Sequence, residues 1–202
     1  MKNAVIYIHG KNGSADEAHY YKKFFNDDYE VVGFDYKSEL PWDVREEFQK
    51  YIDDMILKYN EIILIGTSVG AYFALLSLAG KTIKKALFIS PVVDMEKLIT
   101  DMMERSNITE DELKSKKELD TEFGETLSWE YLLYARNHPI EWNIPTHILY
   151  GEKDNLTAKE TLYDFAERTG AILSVMKNGE HWFHTNEQMR VLDNWIRDSI
   201  CR

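Results

Sequence analysis

The stretch that decides the fold is LIGTSVGAY, Leu64 to Tyr72, whose centre Gly66-Thr67-Ser68-Val69-Gly70 fits the pattern G-x-S-x-G. Ordinary glycine and serine usage yields that pattern in roughly one chain in ten or twenty of this length, so the surroundings decide what Ser68 is. Before it runs Glu61–Gly66, a β-branched segment of strand character, and after it Ala71–Leu78 is apolar on nearly every side. Ser68 therefore sits at a strand-to-helix turn, the setting the motif needs. Side chains two residues either way would collide with the neighbouring strand or helix, which accounts for Gly66 and Gly70. The start of the helix offers the unpaired N–H of Val69 and the positive end of the helix dipole.

Outward from this turn, five more runs rich in β-branched and aromatic residues punctuate the chain: Ala4–Ile8, Glu30–Tyr36, Lys85–Ser90, Thr146–Tyr150 and Ile172–Met176. Most are continuously apolar, as strands covered on both faces are. Helical patterns lie between them. Val44, Phe48, Tyr51, Ile52, Met55 and Tyr59 form one stripe, and Ser14-x-x-Glu17, Thr157-x-x-Glu160 and Thr185-x-x-Gln188 have capping-box spacing. Alternating strands and helices predict an α/β fold: a doubly wound, mostly parallel sheet of about six strands with helices on both faces. The interval from about Asp94 to Trp142 breaks the rhythm. It holds two charged helical stretches and the aromatic segment Trp129–Ala135 but no good strand, and it is far longer than an ordinary connection. We read it as a helical cap insertion in a single domain spanning 1–202.

The bulk numbers narrow the function. A net charge of −11 repels phosphate backbones and anionic membranes, which argues against nucleic-acid binding. The single cysteine, Cys201, allows no intramolecular disulfide and fits a reducing compartment. MKNAVIYIHG is too short in apolar residues for a signal peptide, and no stretch approaches the length of a membrane span. The expectation is a cytoplasmic protein.

A serine hydroxyl is a poor nucleophile unless a base takes its proton and an acid orients that base. Asp154, in Tyr150-Gly151-Glu152-Lys153-Asp154-Asn155, follows the fifth strand, and His181, in Gly179-Glu180-His181-Trp182-Phe183, follows the sixth. In a doubly wound sheet the loops at the strands' C-terminal ends lie along one edge, so Ser68, Asp154 and His181 would converge there. Each has a competitor. Glu152 points the same way as Asp154 in an extended stretch but sits at the strand's end rather than in the loop, and Asp94 offers a weaker position after the fourth strand. His184 lies three residues beyond His181, but it flanks Thr185, the apparent cap of the last helix. Of the other histidines, His9 reads as loop-shaping, His147 as packed within a strand, and His19 and His138 as peripheral. Trp129, Tyr131, Tyr134 and Trp142 would either line a pocket beneath the cap or form the insertion's own core.

With these residues in view, the chain resembles a compact member of the α/β-hydrolase fold superfamily, in the order nucleophile, acid, histidine. His9-Gly10-Lys11-Asn12-Gly13-Ser14 is similar to that family's HGxxGS loop after its first central strand. The resemblance implies an oxyanion hole made by the backbone N–H groups of Lys11 and Val69. It also implies a serine hydrolase of the carboxylesterase kind, acting on a small-molecule acyl substrate through an acyl-enzyme, as a monomer or homodimer, with no cofactor and no metal. Thioesters, peptide-like amides and a non-catalytic binding role on the same fold remain alternatives. The chain starts at the strand bearing the HG motif, without the larger members' first two strands, so the second run, near Val31–Tyr36, becomes an edge.

Overall fold

The computed structural model describes residues 1–201. Among them are eight strands: β1 (Asn3–Ile8), β2 (Tyr29–Gly33), β3 (Ile62–Thr67), β4 (Lys85–Ile89), β5 (Glu118–Asp120), β6 (Thr126–Ser128), β7 (Thr146–Gly151) and β8 (Ile172–Met176). The helices are α1 (Ala18–Tyr21), α2 (Pro41–Lys58), α3 (Ser68–Ser77), α4 (Met95–Arg105), α5 (Glu110–Lys116), α6 (Trp129–Asn137), α7 (Lys159–Thr169) and α8 (Asn186–Cys201), with short 3-10 turns flanking α1. Six strands form one sheet in the order β2-β1-β3-β4-β7-β8. All its pairings are parallel. This is the expected α/β architecture, with β2 at an edge.

The continuous apolar runs are explained by burial on both faces. In β1, Ala4, Ile6 and Ile8 face a core built with Val44, Phe48 and Ile52 of α2 and with α3, while Val5 and Tyr7 face Ala18 and Tyr21 of α1 and Leu192, Trp195 and Ile196 of α8. Each such fully buried large side chain contributes about 1.5–3 kcal/mol of transfer free energy. The helix α3 is buried on almost every side because it lies between the sheet and further helices. At the opposite end of the sheet, the buried Lys85 ammonium donates to the Ser199 carbonyl at 2.9 Å and so fastens the end of α8.

Three expectations need correction. The run Glu30–Tyr36 is strand only to Gly33; Phe34 and Tyr36 then turn inward and pack against Phe48. The interval from Asp94 to Trp142 does contain strands. The antiparallel hairpin β5–β6 is closed by Thr121 and Glu125 around Gly124 at φ 85°. Its two strands carry one apolar residue each, Leu119 and Leu127, too little for a strand pattern to register. Finally, Thr157 does not cap α7. The helix begins at Lys159 with Ala158 at its cap, and the Thr157 hydroxyl instead donates to the Pro91 carbonyl at 3.2 Å. The Thr185–Gln188 box does form, with both reciprocal bonds present, as does the Ser14 N–H to Glu17 bond at 3.3 Å.

Candidate active site

The chain goes from β1 to β2 on one side of β1 and returns to β3 on the other, so successive connections part at the C-terminal ends of β1 and β3. Such a switch point opens a crevice where ligands bind in open α/β sheets. Ser68 lies there, one residue past β3, with φ 48°. A non-glycine residue in this region is strained by about 1–2 kcal/mol, a cost typical of residues held for a task. Gly70 shows why the turn closes. A Cβ there would lie 2.1 Å from the His9 carbonyl oxygen, so only glycine lets the first turn of α3 press against the end of β1.

His181 and Asp154 arrive on the loops after β8 and β7. Those two loops are stitched together by backbone bonds, Glu152 N–H to Met176 O at 3.0 Å and Lys153 N–H to Gly179 O at 2.7 Å. The approach is so tight that a Cβ on Gly151 would sit 2.5 Å from the Glu180 carbonyl oxygen. As a result His181 Nδ1 lies 2.6 Å from Asp154 Oδ2 and His181 Nε2 lies 2.9 Å from Ser68 Oγ. An ionised carboxylate only accepts, so Nδ1 carries the proton toward Asp154, and Nε2 of the neutral ring accepts from the serine hydroxyl. The Asp154 side chain is fully buried, and its other oxygen accepts the N–H groups of Leu156 at 2.8 Å and Thr157 at 3.2 Å. A buried carboxylate so supplied with donors is held in one orientation. Thr157 braces the same loop, since its carbonyl accepts the Tyr150 hydroxyl at 2.9 Å.

The competing residues are otherwise engaged. Asp94 caps α4 by accepting the Lys97 N–H at 2.8 Å. Glu152 is exposed and accepts the Asn178 N–H at 3.0 Å. The His184 ring stacks on Trp182, and its Nδ1 lies 2.9 Å from the Trp182 carbonyl oxygen. Among the described residues no three His, Cys, Asp or Glu side chains group as metal ligands would.

The HGKNGS loop lies against the same turn: a Cβ on Gly10 would come within 3.2 Å of Ser68 Cβ. Lys11 sits in a tight turn closed by the Gly13 N–H to Gly10 O bond at 3.0 Å, with Asn12 at φ 61°. Val69 occupies the first turn of α3, where backbone N–H groups have no intrahelical acceptor. The His9 ring stacks on Tyr36, whose hydroxyl donates to the His9 carbonyl at 2.8 Å. Beneath the loop, the buried Tyr7 hydroxyl donates to Glu17 and lies 3.4 Å from Thr67 Oγ1. Burial, then Tyr21 and Glu17 beside it, hold the Tyr7 phenol well above its usual pKa, so it stays a neutral donor. Sequence reasoning missed Thr157, Gly151, Gly179 and Tyr7 because their roles depend on contacts between distant loops. The two glycines, one ending β7 and one three residues past β8, were the available signal.

The insertion touches two of these loops. The Lys11 ammonium pairs with Glu125 at the hairpin tip, and Arg105 at the end of α4 donates to the Asn155 carbonyl at 2.9 Å. Trp142 lies elsewhere, packed on Phe88 with its indole N–H donated to Thr146 at 2.7 Å, so it belongs to the core.

Strand order, the strained serine turn and the three loops at one sheet edge define an α/β-hydrolase fold. Mouse alpha/beta hydrolase domain-containing protein 10 matches it with a TM-score of 0.77 at 18% identity, over 98% of this chain and 89% of its own. Est1E from Butyrivibrio proteoclasticus matches with a TM-score of 0.74 at 17% identity, over 99% and 87%. An esterase from Pyrococcus furiosus matches with a TM-score of 0.61 at 20% identity, over 98% and 80%. By sequence, the chain belongs to the uncharacterised protein family UPF0227, whose model matches residues 4–190. No curated protein matches the sequence.

Proposed function

We propose that this protein is a serine hydrolase that cleaves a carboxylic ester through an acyl-enzyme. The observation that carries the reading is the linear relay of Ser68 Oγ, the His181 ring and Asp154, with spacings of 2.9 and 2.6 Å. His181 takes the Ser68 proton as Oγ attacks the carbonyl carbon, and Asp154 stabilises the imidazolium that forms. The negative charge that moves onto the carbonyl oxygen meets the N–H groups of Lys11 and Val69. Losing one such donor typically costs about 3 kcal/mol of barrier. His181 then protonates the departing alcohol, and in the second half activates water to release the acid and restore Ser68. Neither half needs a cofactor.

Two of the matched structures, which share the fold, are esterases by name or carry an aromatic acid as ligand, as does Est1E with ferulic acid. The segment from about 94 to 142 is proposed as a cap on a single domain, supported by its bonds to the loops of Lys11 and Asn155. With no helix long and apolar enough to cross a membrane among the described residues, a small-molecule acyl substrate in the cytoplasm is the setting we propose.

The test is turnover of p-nitrophenyl esters, aryl thioesters and aminoacyl amides by the wild type and Ser68→Ala. Ester hydrolysis that disappears in Ser68→Ala supports the reading. Equal turnover by both proteins contradicts it.

A further inference from the structure

Between the nucleophile's helix and the insertion lie two phenols with nothing to bond. Tyr72 stands four residues after Ser68 on α3, hence on the same face of the helix one turn further in. Tyr131 stands on α6 of the insertion. Both hydroxyl oxygens are buried, and neither has a hydrogen-bond partner among the described residues. The neighbouring Tyr36 phenol, by contrast, donates to the His9 carbonyl at 2.8 Å.

Tyr72 lies in the core cluster that α2, α3 and the sheet build, and Tyr131 packs against the same cluster. Burial, then Tyr72, Tyr36 and Tyr134 acting together, push the Tyr131 phenol up; burial, then Tyr134 and Asp94, push Tyr72 up. Both therefore remain neutral O–H donors at any ordinary pH. Buried polar groups in folded proteins are nearly always satisfied, and a hydroxyl that no protein atom satisfies calls for another partner.

The proposed mechanism says which part of a substrate reaches them. In that mechanism His181 protonates the departing oxygen, which puts the alcohol on the side of the β8 loop; the acyl chain is proposed to run the other way, toward α3 and the insertion. Resting on the reading of Ser68 as nucleophile, we propose that Tyr72 and Tyr131 bind a neutral oxygen carried on the acyl chain of the substrate: an ether, hydroxyl or keto oxygen. A carboxylate or phosphate does not fit. Both rings pack with the apolar core cluster, where a charge without a partner is costly to bury. Specificity of this kind is strong because a substrate lacking the oxygen leaves the buried donors unpaired.

The experiment uses isosteric p-nitrophenyl esters in which one acyl methylene is replaced by oxygen: the hexanoate, the 4-methoxybutanoate and the 3-ethoxypropanoate. The kcat/KM of each is corrected for its rate of alkaline hydrolysis. For the wild type we expect at least one ether ester to exceed the hexanoate by about tenfold. Tyr72→Phe and Tyr131→Phe each cut that ratio several-fold, and the double variant brings it to about one. A wild-type ratio of one or less, or a ratio unchanged in the double variant, overturns the proposal. Hydroxyls that only hold a structural water would shift Tm on substitution and leave the ratio alone, which also overturns it. Labelling by a fluorophosphonate is run in parallel. Labelling of Ser68 with no ether preference removes the subsite and keeps the hydrolase. Absence of both labelling and turnover removes the hydrolase and the subsite together.

Discussion

Two adjacent parallel strands of this molecule end in the same unusual way. One residue past β3 stands Ser68 at φ 48°, and one residue past β4 stands Ser90 at φ 45°. The register pairs Thr67 with Ile89, so the two serines sit side by side at the C-terminal edge of the sheet. Backbone strain alone therefore does not set one serine apart from the other. What differs is what each hydroxyl meets. Ser68 opens α3, is partly open, and its Oγ lies 2.9 Å from His181 Nε2. Ser90 is followed by Pro91, is 2% exposed, and its hydroxyl has no hydrogen-bond partner among the described residues. Its N–H is spent on the Leu149 carbonyl at 2.8 Å, as a structural crossing point requires. The same strained backbone thus presents one hydroxyl to the His181 imidazole and buries the other.

That contrast is sharpest in activity. Ser68→Ala is expected to lower ester kcat by on the order of 10⁴-fold or more, with an unchanged far-UV spectrum and Tm within a few degrees. A residual rate within tenfold of wild type would break the comparison at its strong end. Next, His181→Ala should fall nearly as far, whereas His184→Ala, whose ring meets only exposed Trp182 and Glu180, should stay within about twofold. The opposite pattern in steady-state kinetics would move the base to His184.

The third prediction concerns the turn itself. Gly70→Ala places a methyl 2.1 Å from a backbone oxygen, which no side-chain movement relieves. We expect a loss of about 2 kcal/mol or more in chemical denaturation, with reduced activity in the folded fraction. A neutral result would mean that the close packing of α3 on β1 is not what holds the strained serine. The smallest effect is expected at the second serine. Ser90→Ala removes an unsatisfied hydroxyl and leaves its backbone alone, so stability should be unchanged or higher by up to about 1 kcal/mol and kcat within twofold. A large loss of kcat there would erase the distinction between the two strand ends.

The sheet was legible because burial on both faces writes itself into sequence as continuous apolar runs, as in Ile62–Ile65 and Ala86–Ile89. The three loop residues were legible because each follows such a run at a place the topology brings to one edge. The rest depends on contacts that local sequence does not encode. Thr157 has the spacing of a cap, yet its hydroxyl is taken by Pro91 on another loop. The hairpin β5–β6 offers two inward leucines and charged residues, a pattern indistinguishable from a polar connection. Ser90 carries no sign of its positive φ at all, since it is neither glycine nor asparagine and lies in a run that reads as plain strand.

The central claim is that Ser68 is the one hydroxyl activated for attack. The most direct test is exposure of the folded protein to a fluorophosphonate, followed by intact-mass and peptide mass spectrometry, with Ser68→Ala and Ser90→Ala alongside. A single phosphonyl group on Ser68 in the wild type and in Ser90→Ala, with none in Ser68→Ala, is the predicted result. An unmodified wild type, or modification at a residue other than Ser68, contradicts the account.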